Sequence, residues 1–279
     1  MHRGQRAQGR VRSFSVEAHM DGILENGQLV AWADEKRAQL QSEPPPALGA
    51  IGPARRDLHA ALATARDSLA VLAEPARRSP EEGKLREDLD VEAFARACAA
   101  AGVAALVLPV DARFGLREDE LELVDATFPL PILSHDLLVD PRQLHAARAR
   151  GADGVWLHLG VLDDRILDAV LALAEAQKMA VIAEGRTAEE LHRGVRAGVR
   201  IVCASAFDEA GAQNADAALE LLRGVPQGLL RVVRGPVSGE AGLGALRGEV
   251  DALWICGPAS MPRDTLAYLR SLVVAAGHG

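Results

Sequence analysis

The chain has 279 residues, 31 Lys+Arg against 39 Asp+Glu for a formal charge of -8, 49% hydrophobic residues and 3% aromatics. That length and apolar share make a packed globule, either one barrel-sized domain or two smaller ones, and exclude disorder as the main state. An acidic chain with few rings has neither the charge to hold a phosphate polymer nor the faces to stack on bases, which excludes nucleic acid as a partner.

In chain order, residues 1–19 carry Arg3, Arg6, Arg10 and Arg12 with no acidic residue before Glu17 and no apolar stretch. They lack the hydrophobic region of a secretory signal, so a disordered tail is expected, with an organelle transit peptide as the alternative. Residues 20–67 are expected to form an N-terminal helical extension. Ile23, Leu29 and Trp32 share a helical face, Ser42 to Pro46 breaks the run, and Arg55 to Ala63 is helical again. No apolar run approaches the roughly 20 residues that span a bilayer, so a soluble, cytoplasmic protein without a membrane partner is expected. Cys98, Cys203 and Cys256 are an odd count without CxxC spacing, each inside an apolar segment. They are expected to be small core residues in a reducing compartment, neither disulfides nor metal ligands.

From residue 68 to 275, short apolar runs alternate with longer segments of helical period, the signature of βαβ units on a parallel sheet. Eight strands are expected: Leu69 to Glu74, Ala104 to Pro109, Pro131 to Ser134, Gly154 to Leu159, Ala180 to Glu184, Arg200 to Ala204, Leu229 to Arg234 and Ala252 to Cys256. Between the first two, Phe94, Ala97, Cys98 and Ala101 fall on one helical face. Gly102, Gly151 and Gly198 each stand just before a strand, where glycine caps a helix in the left-handed conformation. Eight such units at an even rhythm predict an α/β fold, a (β/α)8 TIM barrel with the N-terminal helical extension packed on it. Active sites of this fold lie at the carboxyl ends of the strands, which directs attention to Glu74, Asp111, Ser134 to Asp136, Glu184, Ser205 to Asp208, Arg234 to Pro236 and Gly257-Pro258.

These strand ends resemble the indole-3-glycerol phosphate synthase family, barrel lyases of tryptophan biosynthesis that close and decarboxylate an anilino-deoxyribulose phosphate. The resemblance spans about Gly22 to Val274. It is carried by Arg56-Asp57-Leu58-His59-Ala60-Ala61-Leu62, by Ala73-Glu74 with Ser79-Pro80 and Gly83, and by Asp111 to Phe114. Pro131 to Asp136 with Val139-Asp140-Pro141 and Gln143, Gly151-Ala152-Asp153, and Glu184 with Thr187, Glu190 and Leu191 complete it. The resemblance implies catalytic roles for Glu74, His135 and Glu184, with His135 standing where the family places its lysine general acid. It also implies substrate or phosphate contacts from Ser79, Ser205, Gly235 and Gly257, to which Arg234 adds a direct contact to an anion. His145, His158 and His192 lack HxH or HExxH spacing and no GxGxxG or GxxxxGK(S/T) stands between a strand and a helix, so no metal and no cofactor are expected.

The chain departs from the family pattern at several of these positions. Ala76, Glu82, His135 and Phe207 stand where family members place Lys, Lys, Lys and Arg, and Arg234-Gly235-Pro236 replaces Glu-Ser-Gly. Pro236 and Pro258 each remove a backbone donor from loops that grip phosphate in this barrel class. An imidazole is mostly neutral at pH 7 and shorter than lysine, and a donor displaced by about an ångström costs roughly a hundredfold in rate. His135 therefore reads either as a substitute acid beside Asp136 or as a strand-end histidine hydrogen-bonded to its neighbours. Glu74 and Glu184 read either as a paired carboxylate site or as carboxylates neutralised by Arg77, Arg186 or Arg234.

Three functions are open from the sequence. The first is a divergent family member retuned for a related small anionic metabolite such as a sugar phosphate, with the family activity weak or lost. The second is a noncatalytic structural or regulatory barrel, a pseudoenzyme with a partner among tryptophan-pathway proteins. The third is an active indole-3-glycerol phosphate synthase using His135 as its acid.

Overall fold

The computed structural model describes residues 26–42, 51–63, 68–79, 83–206, 214–235, 239–256 and 264–277. The eight apolar runs become β1 Ala70–Ala73, β2 Ala105–Pro109, β3 Ile132–His135, β4 Gly154–His158, β5 Ala180–Glu184, β6 Ile201–Ser205, β7 Leu230–Arg234 and β8 Ala252–Ile255. Each strand pairs in parallel with its sequence neighbour, and β8 returns to pair with β1, closing the barrel. Helices on the outside and packed side chains on the inside bury both faces of β2 and β4, which is why their sequences run apolar without alternation. The third strand ends one residue later than expected, so His135 belongs to β3 itself.

The intervening helices begin and end where their termini are satisfied. Asp90, Asp163 and Thr187 each accept a backbone N–H from the first turn of Val91–Ala101, Asp164–Ala176 and Ala188–Ala197. Gly102 and Gly198 close the first and third of these helices in the left-handed conformation, at φ 82° and 103°. The buried stripe of Val91–Ala101 is Val91, Phe94, Ala95, Cys98 and Ala101, so Ala95 replaces the expected Ala97 on the inner face. All three cysteines are buried and none forms a disulfide.

The amino end of the barrel is plugged by the short helix Leu58–Leu62. Leu58 and Leu62 are fully buried, and Leu58 lies so close to Gly154 that a Cβ there would meet it at 2.6 Å. Beside the plug, Asp153 receives the backbone N–H groups of Arg55, Arg56 and Ile132, each at 3.1 Å, and the Arg56 guanidinium at 2.6 Å. Arg56 reaches Asp125 at the same time, at 2.6 Å. The phrases Arg56 to Leu62 and Gly151 to Asp153 are thus two halves of one closure at the floor of the barrel.

At the opposite end lies α1, Asn26–Ser42, which buries Leu29, Trp32 and Ala33. Lys36 Nζ sits 2.8 Å from Asp111 and 2.7 Å from Asp136, just beyond β2 and β3. Trp32 Nε1 donates to Asp111 at 3.3 Å, and Arg37 donates to the Val161 carbonyl beyond β4 at 2.6 Å. These contacts set the helix on the rim of the carboxyl-end mouth. The expected tail 1–19, Ile23 and residues 43–46 lie outside the described residues.

Candidate active site

Strand register carries one ring of side chains around that mouth. Pro109 pairs with His135, His158 with Glu184, and Ser205 with Arg234. Because strand side chains alternate, these residues share the inner face with Trp156, Trp254 and, just past β1, Glu74.

Glu74 and His135 meet. Glu74 Oε1 lies 3.1 Å from His135 Nδ1, and Glu74 Oε2 accepts from Trp254 Nε1 at 2.7 Å. A carboxylate only accepts, so it fixes Nδ1 as a protonated ring nitrogen. The His135 ring is enclosed by Trp156, Trp254 and Phe114, at centroid distances of 4.7, 5.1 and 5.3 Å. Arg77, one of the cations expected near these carboxylates, is bound instead by Glu120 at 2.6 and 2.8 Å, where it anchors the loop after β1. Asp136 likewise faces Lys36 and Gln143, at 2.7 and 3.0 Å.

Glu184 meets Arg234 in a two-pronged ion pair, Nε to Oε2 at 2.9 Å and Nη2 to Oε1 at 3.1 Å, while Trp156 Nε1 donates to Oε2 at 2.9 Å. Burial alone would raise the Glu184 pKa, but the charge and hydrogen bonds of Arg234 outweigh it. Together with lesser help from His158 and Trp156 they hold the group at about 2, below its ordinary 4.5. Arg234, pushed up by the same pairing, also lies 5.5 Å from the centre of the Trp254 ring. Beside the pair, His158 is lowered from 6.5 to about 4, first by burial and further by Arg186 and Arg234, with Glu184 opposing.

The residues expected to hold phosphate are placed differently from one another. Ser205 stands in the ring beside Arg234. Gly235 adopts φ 145°, and its N–H is donated to the Trp254 carbonyl at 2.9 Å, so this glycine supplies a turn and its donor is engaged within the barrel. Ser79 lies in a two-residue strand paired with Gly83–Lys84, and Gly257 is outside the described residues, as are Glu82, Phe207, Asp208, Pro236 and Pro258. Among the described residues no group of three or more His, Cys, Asp or Glu is arranged to hold a metal ion, and no helix is long and apolar enough to cross a membrane.

Sequence reasoning missed Lys36, Trp156 and Trp254 as parts of the mouth. Two tryptophans inside parallel strands of so aromatic-poor a chain were a readable signal. Lys36 left none, since its partners are far away in the chain.

A closed parallel barrel with buried carboxylates at the ends of β1 and β5 defines the class: a (β/α)8 barrel with a strand-end carboxylate site. Residues 26–205 match the family model for indole-3-glycerol phosphate synthase. The indole-3-glycerol phosphate synthase of Micrococcus luteus is 36% identical over 231 residues, 80% of this chain and 82% of that protein. The synthase of Mycobacterium avium is 31% identical over 262 residues, 93% of this chain and 95% of that protein. The chain belongs to the indole-3-glycerol phosphate synthase family.

Proposed function

We propose that this barrel is a divergent member of its family, whose mouth takes a related but less anionic small ligand and whose ring-closing decarboxylation is weak or lost. The observation that carries this reading is the pairing of Arg234 with Glu184. As the resemblance implies, the family reaction uses a cationic acid at the His135 position and a carboxylate at the Glu184 position. Here that carboxylate is held by a guanidinium and an indole N–H, which strips it of basicity. The small, buried Ala76 stands where the family has a lysine, so a dianionic substrate loses a partner there as well.

A second reading, an active synthase with His135 as acid, is favoured by the Glu74 contact to Nδ1, which orients the ring. It predicts turnover that rises toward low pH and disappears in His135→Ala.

Calorimetric titration with anilino-deoxyribulose phosphate and its dephosphorylated counterpart tests the first reading. The phosphate is expected to improve affinity by less than about tenfold. An improvement beyond about a hundredfold, or no binding of either compound, contradicts a mouth retuned for a less anionic ligand.

A further inference from the structure

We propose that His158 is a ligand-recognition residue of this mouth: its buried Nε2–H donates a hydrogen bond to an anionic oxygen of the bound small molecule. The inference rests on the reading that the mouth binds a small anion, and adds the group that reads it.

His158 is the last residue of β4, in register with Glu184 and 5.8 Å from the Trp156 ring. Its Nδ1 accepts the Gly160 N–H at 3.2 Å, so the proton of the neutral ring resides on Nε2. The residue is only 2% exposed, yet Nε2 has no hydrogen-bond partner among the described residues. Every other polar group placed in this ring with a described contact is engaged: Glu74 with His135 and Trp254, Glu184 with Arg234 and Trp156. A buried N–H left without an acceptor is destabilising, so an acceptor supplied by a bound molecule would satisfy it.

The charges nearby say what kind of acceptor fits. Burial keeps the ring neutral, Glu184 opposes it, and Arg186 and Arg234 add to it, while the charge of Glu184 is ion-paired with Arg234. An N–H donor takes an acceptor and not a cation or a second donor, and with Glu184 paired, Arg186 and Arg234 suit an acceptor oxygen that carries negative charge. A carboxylate and a phosphate share that chemistry.

The test is calorimetry of the unaltered chain, His158→Phe and His158→Gln with anilino-deoxyribulose phosphate, benzoate and inorganic phosphate. His158→Phe is expected to weaken the first by at least about tenfold, with part recovered in His158→Gln. The same loss with benzoate identifies a carboxylate oxygen, and with inorganic phosphate a phosphate oxygen. Equal binding by His158→Phe and the unaltered chain overturns the role of His158 and leaves the reading of the mouth intact. No binding of any probe by the unaltered chain overturns both. Nitrogen NMR of histidine-labelled protein does not depend on a variant folding: the His158 Nε2 resonance is expected to move on ligand addition, and an unmoved resonance in ligand-saturated protein contradicts the proposal.

Discussion

Two titratable side chains at the end of β4 and β5 are displaced from their ordinary ranges in the same direction and for different reasons. Glu184 is held down by Arg234 against the pull of its own burial, and His158 is held down by burial with Arg186 and Arg234 adding to it. A carboxylate lowered on folding stabilises the native state above its unfolded value, and that contribution is lost as pH falls through the folded one. For Glu184 the window runs from 4.5 toward about 2. The buried neutral imidazole gives the same sign, because the unfolded chain takes up the proton first, so stability is lost between 6.5 and about 4. Thermal denaturation followed downward from neutral pH is expected to lose stability in these two stages, and His158→Phe to remove the upper one. An upper stage unchanged in that variant contradicts the burial of a neutral His158. The Glu184 to Arg234 pairing was legible in the sequence as one of two alternatives, because both residues close inward-facing strands. The joining of Glu74 to His135 was not, since the two are 61 positions apart and only the closed barrel brings β1 and β3 across the same mouth.

At the scale of elements, the rim helix Asn26–Ser42 is fastened by one ammonium between two carboxylates. Burial would lower the Lys36 pKa, and Asp136 and Asp111 more than reverse it. Replacing Lys36 by Met removes the cation between Asp136 and Asp111 and leaves Asp111 with the Arg113 guanidinium, at 3.2 Å, as its cation, a change that costs about 3 kcal/mol when a buried pair loses one partner. The expected outcome is loss of hydrogen-exchange protection across residues 26–42 while the barrel strands keep theirs. Unchanged protection of that helix would mean that Leu29 and Trp32 hold it without the clamp. The eight strands were legible because a parallel sheet buried on both faces needs unbroken apolar runs, and because glycines mark the helix ends. The inner face of Val91–Ala101 was misplaced by one alanine for want of contrast: alanines surround that helix, so only packing against its neighbours decides between Ala95 and Ala97. The clamp itself could not be read, since a helical Lys-Arg pair ordinarily marks a solvated face.

Over the whole molecule, the residues that carry the family resemblance fall into two sets at opposite ends of the barrel. Those at the floor, Arg56 and Asp153 around the Leu58 plug, are joined with Asp125 in one network that closes the barrel. Those at the mouth include the carboxylates Glu74 and Glu184, each of which faces a partner from the chain itself. A fold can persist on its floor while its mouth changes chemistry, because catalysis depends on strand-end groups that contribute little to closing the barrel. Fluorescence-monitored indole formation from anilino-deoxyribulose phosphate, run on the unaltered chain from about pH 5.5 to 8.5, tests this account most directly. Turnover is expected below about 0.01 per second throughout, at least a hundredfold under the roughly 1 per second that marks the low end of ordinary enzymes. Turnover on the order of 1 per second at any pH in that range would contradict it, and would mean that Glu184 serves the reaction despite Arg234.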